Sequence, residues 1–169
     1  MRIQHFARFA VLVAVVSFVA GCAAAHGTND QGGSTAPPLQ LRLVTSSTAG
    51  PCSAPPLTSD GPGTTCDRAG TTTYELAESV GVVTPASVTR GGQGAGQTVV
   101  VEFDKADAST LGDVTGKAID KQLALLLNGK VLSAPTVKAP ITAGKVTFGC
   151  TTAAEADQVA ALLGAPATS

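Results

Sequence analysis

The sequence contains no tryptophan, a single tyrosine and a single methionine, and only 14% of its residues are charged. With so few large side chains the chain can build only a modest core, although 44% of its residues are hydrophobic. Its 11 basic and 12 acidic residues nearly balance, which does not provide the clustered basic surface that nucleic-acid binding requires. We therefore expect a small folded domain with no nucleic-acid partner.

A hydrophobic run of membrane-spanning length is also missing. The run Phe9 to Ala20 has 12 residues, whereas a membrane-spanning helix needs about 20. Arg2 and Arg8 precede it and small residues follow it, a pattern typical of a secretory signal peptide. We therefore expect residues 1–21 to be a signal peptide that is removed on export.

The four residues Val19 to Cys22 resemble the lipobox of bacterial lipoproteins. In that motif the cysteine receives a diacylglyceryl group and becomes the mature N-terminus, and two or more acyl chains anchor a protein stably. The alternative is an ordinary cleaved signal peptide followed by an incidental cysteine. We expect a lipid anchor at Cys22, a flexible tether over residues 22–37, and a location on the extracytoplasmic face of the cell membrane.

The remaining chain has few residues that could carry chemistry. After signal removal the only histidine is His26, and a flexible tether cannot hold an imidazole as catalysis requires. The cysteines lack the spacing of a zinc site. The glycine-rich segment 91–96 precedes a strand instead of opening a helix, so we interpret it as a turn and not as a phosphate loop. We expect no catalytic residue, no metal and no small-molecule cofactor.

Acidic pairs are the remaining catalytic option. Glu102 and Asp104 lie two residues apart on a predicted strand and so share a face. The alternative, which we favour, is that Asp104 caps a helix and Glu102 is a solvated strand residue. Asp60 and Asp67 could hold a cation, but Asp60 with the glycine after it is also an ordinary turn pair.

The cysteines predict one disulfide in an exported protein. Cys52 and Cys66 would close a loop of about 15 residues, worth roughly 3 kcal/mol in the chain-entropy model. The segment between them is rich in Pro, Gly, Ser and Thr and cannot order itself by burying apolar surface. Cys150 is then unpaired, and we expect it to be a buried thiol and not a reactive one.

Periodicity predicts an α+β fold, with a small antiparallel sheet carrying two helices on one face. Alternating leucines predict a strand at residues 39–43, and further strands are indicated at 72–76, 82–90, 98–103 and 145–148. Asn128-Gly129 predicts a tight hairpin between residues 121–127 and 130–133. Asp104 caps a predicted helix at 105–119, and Thr152 with Glu155 forms the capping box of another.

Residues 117–165 resemble the first periplasmic head domain of SecD, the membrane subunit that assists the Sec translocon from outside. The resemblance rests on a hydrophobic strand ending in Asn128-Gly129, then Ser-Ala-Pro at 133–135, Pro-Ile-Thr-Ala-Gly at 140–144, and a Thr-x-x-Glu-Ala helix at 152–156. Upstream, the strand at 39–43, the two cysteines and Tyr74-Glu75-Leu76 look like the actinobacterial version of the beginning of the head. We expect the domain to cover residues 38–165, followed by a tail at 166–169.

The resemblance implies the head fold and a peptide- or protein-binding surface. It does not imply a translocase, because the sequence shows no transmembrane helix, no second periplasmic half and no intramembrane acid. We expect a non-catalytic protein that engages an exported polypeptide or an envelope protein. An exposed sheet edge accepting a strand would be the means, although a short, proline-bounded edge also protects against aggregation. An envelope hydrolase and a purely structural lipoprotein are the alternatives. The candidate binding edge consists of Ser133, Ala134, Pro135, Thr136, Val137, Pro140 and Ile141.

Overall fold

The computed structural model describes residues 36–92 and 96–165. The predicted signal peptide, Cys22, the predicted tether up to residue 35, residues 93–95 and the predicted tail lie outside the described residues. In the described part the elements are β1 (Leu39–Ala49), β2 (Gly63–Cys66), β3 (Thr72–Val83), β4 (Pro85–Gly91), β5 (Gln97–Phe103), α1 (Lys105–Lys117), β6 (Leu123–Leu127), β7 (Lys130–Ser133), β8 (Lys145–Cys150) and α2 (Ala153–Leu162).

The strands form two antiparallel sheets where the sequence indicated one. The larger sheet has the order β2-β3-β1-β6-β7 and the smaller sheet has the order β4-β5-β8. The division falls at Thr84, inside the strand predicted over residues 82–90, where the Thr84 N–H donates to the Asp107 carboxylate at 2.8 Å. Pro85 then begins β4 on the edge of the smaller sheet, which is where a residue without an N–H is tolerated.

The predicted hairpin joins β6 to β7. Asn128 and Gly129 have φ values of 51° and 74°, the two positive φ angles that a type I′ turn requires. β6 is buried along its whole length, because one face lies on the main core and the other is covered by a loop.

Both predicted helices are present. Asp104 caps α1 by accepting a hydrogen bond from the Asp107 N–H at 2.9 Å. Thr152 caps α2 by accepting one from the Glu155 N–H at 3.1 Å. The Glu155 carboxylate accepts hydrogen bonds from the N–H and the hydroxyl of Thr151, so the reciprocal contact of the capping box extends to the residue before the N-cap.

The main core lies between the two sheets and the helices, and the fold is of the predicted α+β class. α1 packs against β3 and β5, and α2 packs against all three strands of the smaller sheet. Leu111 and Ala118 of the first helix region and Ala156, Val159, Ala160 and Leu163 of the second enter this core. The largest fully buried apolar side chains in it are Leu39, Leu41, Val83, Val99, Val101, Leu111, Leu123 and Leu163.

Candidate functional site

The loop between β1 and β2 (residues 50–62), here called the stapled loop, covers the second face of the larger sheet. The predicted disulfide Cys52–Cys66 closes it. Under the loop lies a second apolar cluster made of Leu76, Ala124, Leu126 and Val131. Leu57 of the loop packs on this cluster, and its N–H donates to the Gly129 carbonyl at 2.8 Å. The loop is therefore part of the packed structure.

Arg42 on β1 holds the same loop and is fully buried. Its Nη1 donates to the carbonyls of Gly61 at 2.6 Å and Ala77 at 3.1 Å, and its Nη2 donates to the Ser59 carbonyl. Burial lowers the pKa of Arg42, and the negative charge of Asp60 partly offsets this effect. The alternating strand pattern gave no sign of this role, because a charged residue between leucines is ordinarily solvent-facing.

The candidate binding edge is only partly free in the structure. The Pro135 carbonyl accepts from the Leu123 N–H at 3.0 Å, and the Val137 N–H donates to the Lys121 carbonyl at 2.9 Å. The Ile141 N–H donates to the Thr115 hydroxyl at 2.9 Å. Ser133 and Ala134 are half-buried, whereas Thr136 and Pro140 are exposed. The Val137 side chain is buried in the main core.

The outer edge of β7, which is the last strand of the larger sheet, is also partly occupied. The Arg68 N–H donates to the Val131 carbonyl of β7 at 3.2 Å, and Asp67 forms a parallel bridge with Val131. Since Asp67 directly follows β2, the turn after β2 reaches β7, and the two edges of the larger sheet approach each other.

β8 provides an edge that the sequence reasoning did not single out. It pairs with β5 on one side and is the last strand of the smaller sheet. The Phe103 N–H donates to the Gly144 carbonyl at 2.9 Å. In an antiparallel pair, hydrogen-bonded and non-hydrogen-bonded residue pairs alternate, so Val146, Phe148 and Cys150 are the β8 residues that bond to β5. It follows that Lys145, Thr147 and Gly149 direct their N–H and C=O groups away from β5, and all three residues are exposed.

A cleft of about 180 Å³ separates the β8 edge from β7. Side chains of both strands line it, together with residues of β6, α2 and the turn after β2. Its apolar wall consists of Leu125, Leu132, Pro135, Val146, Phe148 and Val159. Two sheet edges and an apolar wall therefore face one narrow space.

Arg68, Cys150 and Glu155 give this cleft its polar end. Burial raises the pKa of the unpaired Cys150 thiol, the Glu155 carboxylate raises it further, and Arg68 acts in the opposite direction. Hydrogen bonds from Thr151 lower the pKa of Glu155. The free thiol is buried, as expected, and is held mainly in its protonated form.

The acidic residues considered as catalytic candidates have other partners. Glu102 forms an ion pair with Lys145 at 2.6 Å and accepts from the Ser87 hydroxyl at 3.3 Å, and these contacts lower its pKa. Asp104 caps α1. Both contacts fit the favoured alternative of a solvated strand residue and a helix cap.

The two loop aspartates also hold parts of the fold in place. Asp60 accepts a hydrogen bond from the Gln40 side chain at 2.9 Å. Burial raises the pKa of Asp67, but hydrogen bonds from the Thr71 hydroxyl and from the N–H groups of Thr71 and Thr72 outweigh that effect and lower it. Asp67 thus shapes the turn that places Arg68 at the cleft.

No group of three or more histidine, cysteine and acidic side chains is arranged to hold a metal ion in residues 36–92 and 96–165. Neither α1 nor α2 has the length and apolar character needed to cross a bilayer.

Residues 72–168 match the family described as the SecDF P1 head subdomain. The chain is 43% identical over 70 residues to the protein translocase subunit SecD of Acidaminococcus fermentans, a match that covers 40% of this chain and 17% of that protein. It is also 43% identical over 74 residues to SecD of Dictyoglomus turgidum, covering 43% and 18% respectively. The chain thus spans less than a fifth of the length of these relatives.

Solved SecDF structures have the same fold. One, described as a membrane component that enhances protein export, covers 77% of this chain and 63% of its own, with a TM-score of 0.51 at 19% identity. SecDF in its super-membrane-facing form covers 75% of this chain and 18% of its own, with a TM-score of 0.50 at 22% identity. With the family match over more than half of its length, the chain belongs to the SecDF P1 head subdomain family.

Proposed function

We propose that this protein is a lipid-anchored, extracytoplasmic and non-catalytic binding module that holds extended segments of exported polypeptides or of an envelope protein. In this proposal residues 1–21 are the signal peptide, Cys22 carries the lipid, residues 22–37 form the tether, residues 38–165 form the head domain and residues 166–169 are a short tail. The unpaired β8 edge beside an apolar cleft is the observation that carries the proposal.

An unpaired sheet edge is suited to binding a polypeptide, because a row of N–H and C=O groups is matched by another extended backbone. The relatives support the same role, since they are translocase subunits and one SecDF structure is described as enhancing protein export. The beginning and the end of the described domain lie side by side. A Cβ at Gly164 would lie 2.8 Å from the Ala36 Cα, so the chain enters the domain beside its last turn.

The alternative of a carboxylate-pair hydrolase gains no support from these contacts, since Glu102 is held by Lys145 and Asp104 by the first turn of α1. A purely structural envelope lipoprotein remains the second candidate. It differs from the binding module in one measurable respect, because it has no extended polypeptide bound at β8.

The anchor is tested by replacing Cys22 with alanine. We expect the wild-type protein to sediment with membranes and to incorporate labelled palmitate, and the Cys22→Ala variant to lose the label and move to the soluble fraction, because no acyl chain remains. Cys150→Ala is the matched control, since it also removes an unpaired cysteine but not the acceptor. Label retained in Cys22→Ala would contradict the proposed anchor.

The binding role is tested by crosslinking in the native cell. A photoreactive amino acid at Thr147, which is exposed on β8, should give adducts with secreted chains or one envelope protein. Thr136 tests the edge inferred from sequence, whereas Val137 is unsuitable because its side chain is buried. Glu78, exposed on β3, is the control position. Equal adducts at Thr147 and Glu78 would exclude a polypeptide-binding edge and leave the structural lipoprotein.

A further inference from the structure

We propose that the β8 edge binds extended segments in which an acidic residue precedes an apolar residue by two positions, a specificity that rests on the proposed function. The segment pairs antiparallel with the outer edge of β8, and its apolar side chain enters the cleft between β8 and β7. The backbone, the apolar side chain and the carboxylate of the segment are each met by a different part of this edge and cleft.

The backbone contact comes from the outward peptide groups of Lys145, Thr147 and Gly149. They recur every second residue, which is also the repeat of an extended chain, so a segment of five or more residues can bond to all three. An antiparallel arrangement is slightly more stable per residue than a parallel one. It also continues the pattern of the smaller sheet, in which every neighbouring pair is antiparallel.

The apolar contact follows from the alternation of side chains. Directly opposed residues on paired strands point to the same face, so the bound residue opposite Phe148 directs its side chain toward the apolar wall of the cleft. Leu125, Leu132 and Val159 form that wall with Phe148. The volume of about 180 Å³ suits one aliphatic side chain and not a run of aromatic ones.

The charge contact lies two residues further along β8. The bound residue opposite Cys150 faces the polar end of the cleft, where Arg68 lies. The ion pairs found among residues 36–92 and 96–165 are Arg90–Asp157, Lys138–Asp120 and Lys145–Glu102. Arg68 is in none of them, although its charge acts on the Glu155 carboxylate beside it and contributes to lowering the pKa of that group. The nearby Glu155 carboxylate is already bonded by Thr151, at 2.8 Å and 2.7 Å.

The order of the two residues follows from the antiparallel direction. The bound residue opposite Cys150 comes before the one opposite Phe148 in its own chain. The preferred pattern is therefore acidic-x-apolar, and the reversed pattern places the carboxylate against the apolar wall, where burying a charge is unfavourable.

The experiment measures binding of a fluorescein-labelled peptide, Ser-Thr-Thr-Glu-Thr-Leu-Thr-Thr-Ser, to the full chain by fluorescence anisotropy. Thr147→Pro is the decisive variant, because the Thr147 N–H points away from β5 and its loss leaves the β5–β8 ladder intact. Thr147→Val is the matched control, since it changes the same side chain but keeps the N–H. We expect Thr147→Pro to bind at least about tenfold more weakly and Thr147→Val to bind as the wild type does.

The charge contact is tested with Arg68→Gln and with Lys105→Gln on α1 as the control. Arg68→Gln should weaken binding by about three- to tenfold and should abolish the preference for the Glu peptide over one with Lys in its place. The reversed order Leu-x-Glu should bind more weakly to the wild type. Equal binding by Thr147→Pro, confirmed as folded by circular dichroism, would place the polypeptide elsewhere and overturn this inference alone. No polypeptide adducts in cells together with no peptide binding would overturn the proposed function as well.

Discussion

Replacing Arg42 with methionine is expected to lower the free energy of unfolding by about 3 kcal/mol, since the variant removes three hydrogen bonds that a fully buried charged group donates to partly buried carbonyl oxygens. The carbonyls of Ser59, Gly61 and Ala77 each accept a hydrogen bond from the Arg42 guanidinium. Methionine has a similar length and fills the space, so the measured cost reports mainly the lost hydrogen bonds. Urea unfolding followed by far-ultraviolet circular dichroism measures the change.

The control for this prediction is Arg90→Met. Arg90 forms an ion pair with Asp157 in which both side chains are substantially exposed, 37% and 54%. Exposed pairs contribute about 1 kcal/mol or less, so the same chemical change should have a small effect there. If Arg42→Met and Arg90→Met were equally stable, the Arg42 guanidinium would not be the group that holds the loop.

Removing the disulfide with the double variant Cys52→Ser, Cys66→Ser is expected to destabilise the domain by about 3 kcal/mol, from the entropy that the closed loop removes from the unfolded chain. Cys66 is buried with 2% exposure, so serine also places a hydroxyl in an apolar setting. Unfolding of the wild type in urea with and without reductant measures the contribution of the disulfide without the added cost of the serine hydroxyl. Added reductant should have no effect on the double variant.

The two changes should not be independent, because Arg42 and the disulfide hold the same loop. Once the disulfide is absent, Arg42→Met should cost less than it does in the oxidised wild type, with a coupling of about 1 kcal/mol. Strict additivity would mean that the loop is held separately at each end.

For the disulfide itself, a cost below about 1 kcal/mol would contradict the chain-entropy argument for this loop.

Local signals in the sequence were sufficient for most elements. Asn128-Gly129 predicted the hairpin because few dipeptides adopt two positive φ angles. Asp104 and Thr152 predicted the helix starts, because a side-chain acceptor next to free N–H groups is a local property. The cysteine spacing, with the compartment, predicted the disulfide.

The number of sheets and the position of the free edge could not be predicted from local signals in the sequence. Pairing between strands is decided by long-range contacts, and no local pattern states that β3 joins the larger sheet while β4 joins the smaller one. The edge predicted at residues 133–141 has partners in Lys121 and Leu123, whereas local pattern predicts β8 only as a strand and does not place it at an edge. Which strand is last in a sheet depends on the positions of all the others.

The sequence by itself determined the α+β class, the helix caps, the turn, the staple and the family, because each depends on residue type and short spacing. Only the tertiary structure decided that Arg42 is buried and that β8 lies at the edge of its sheet. Arg42 is buried because a loop from elsewhere in the chain covers its face of the sheet. The peptide groups of Lys145, Thr147 and Gly149 are unpaired because no further strand of the described chain lies beside β8. Burial and edge position are properties of the assembled sheets, and no short segment contains them.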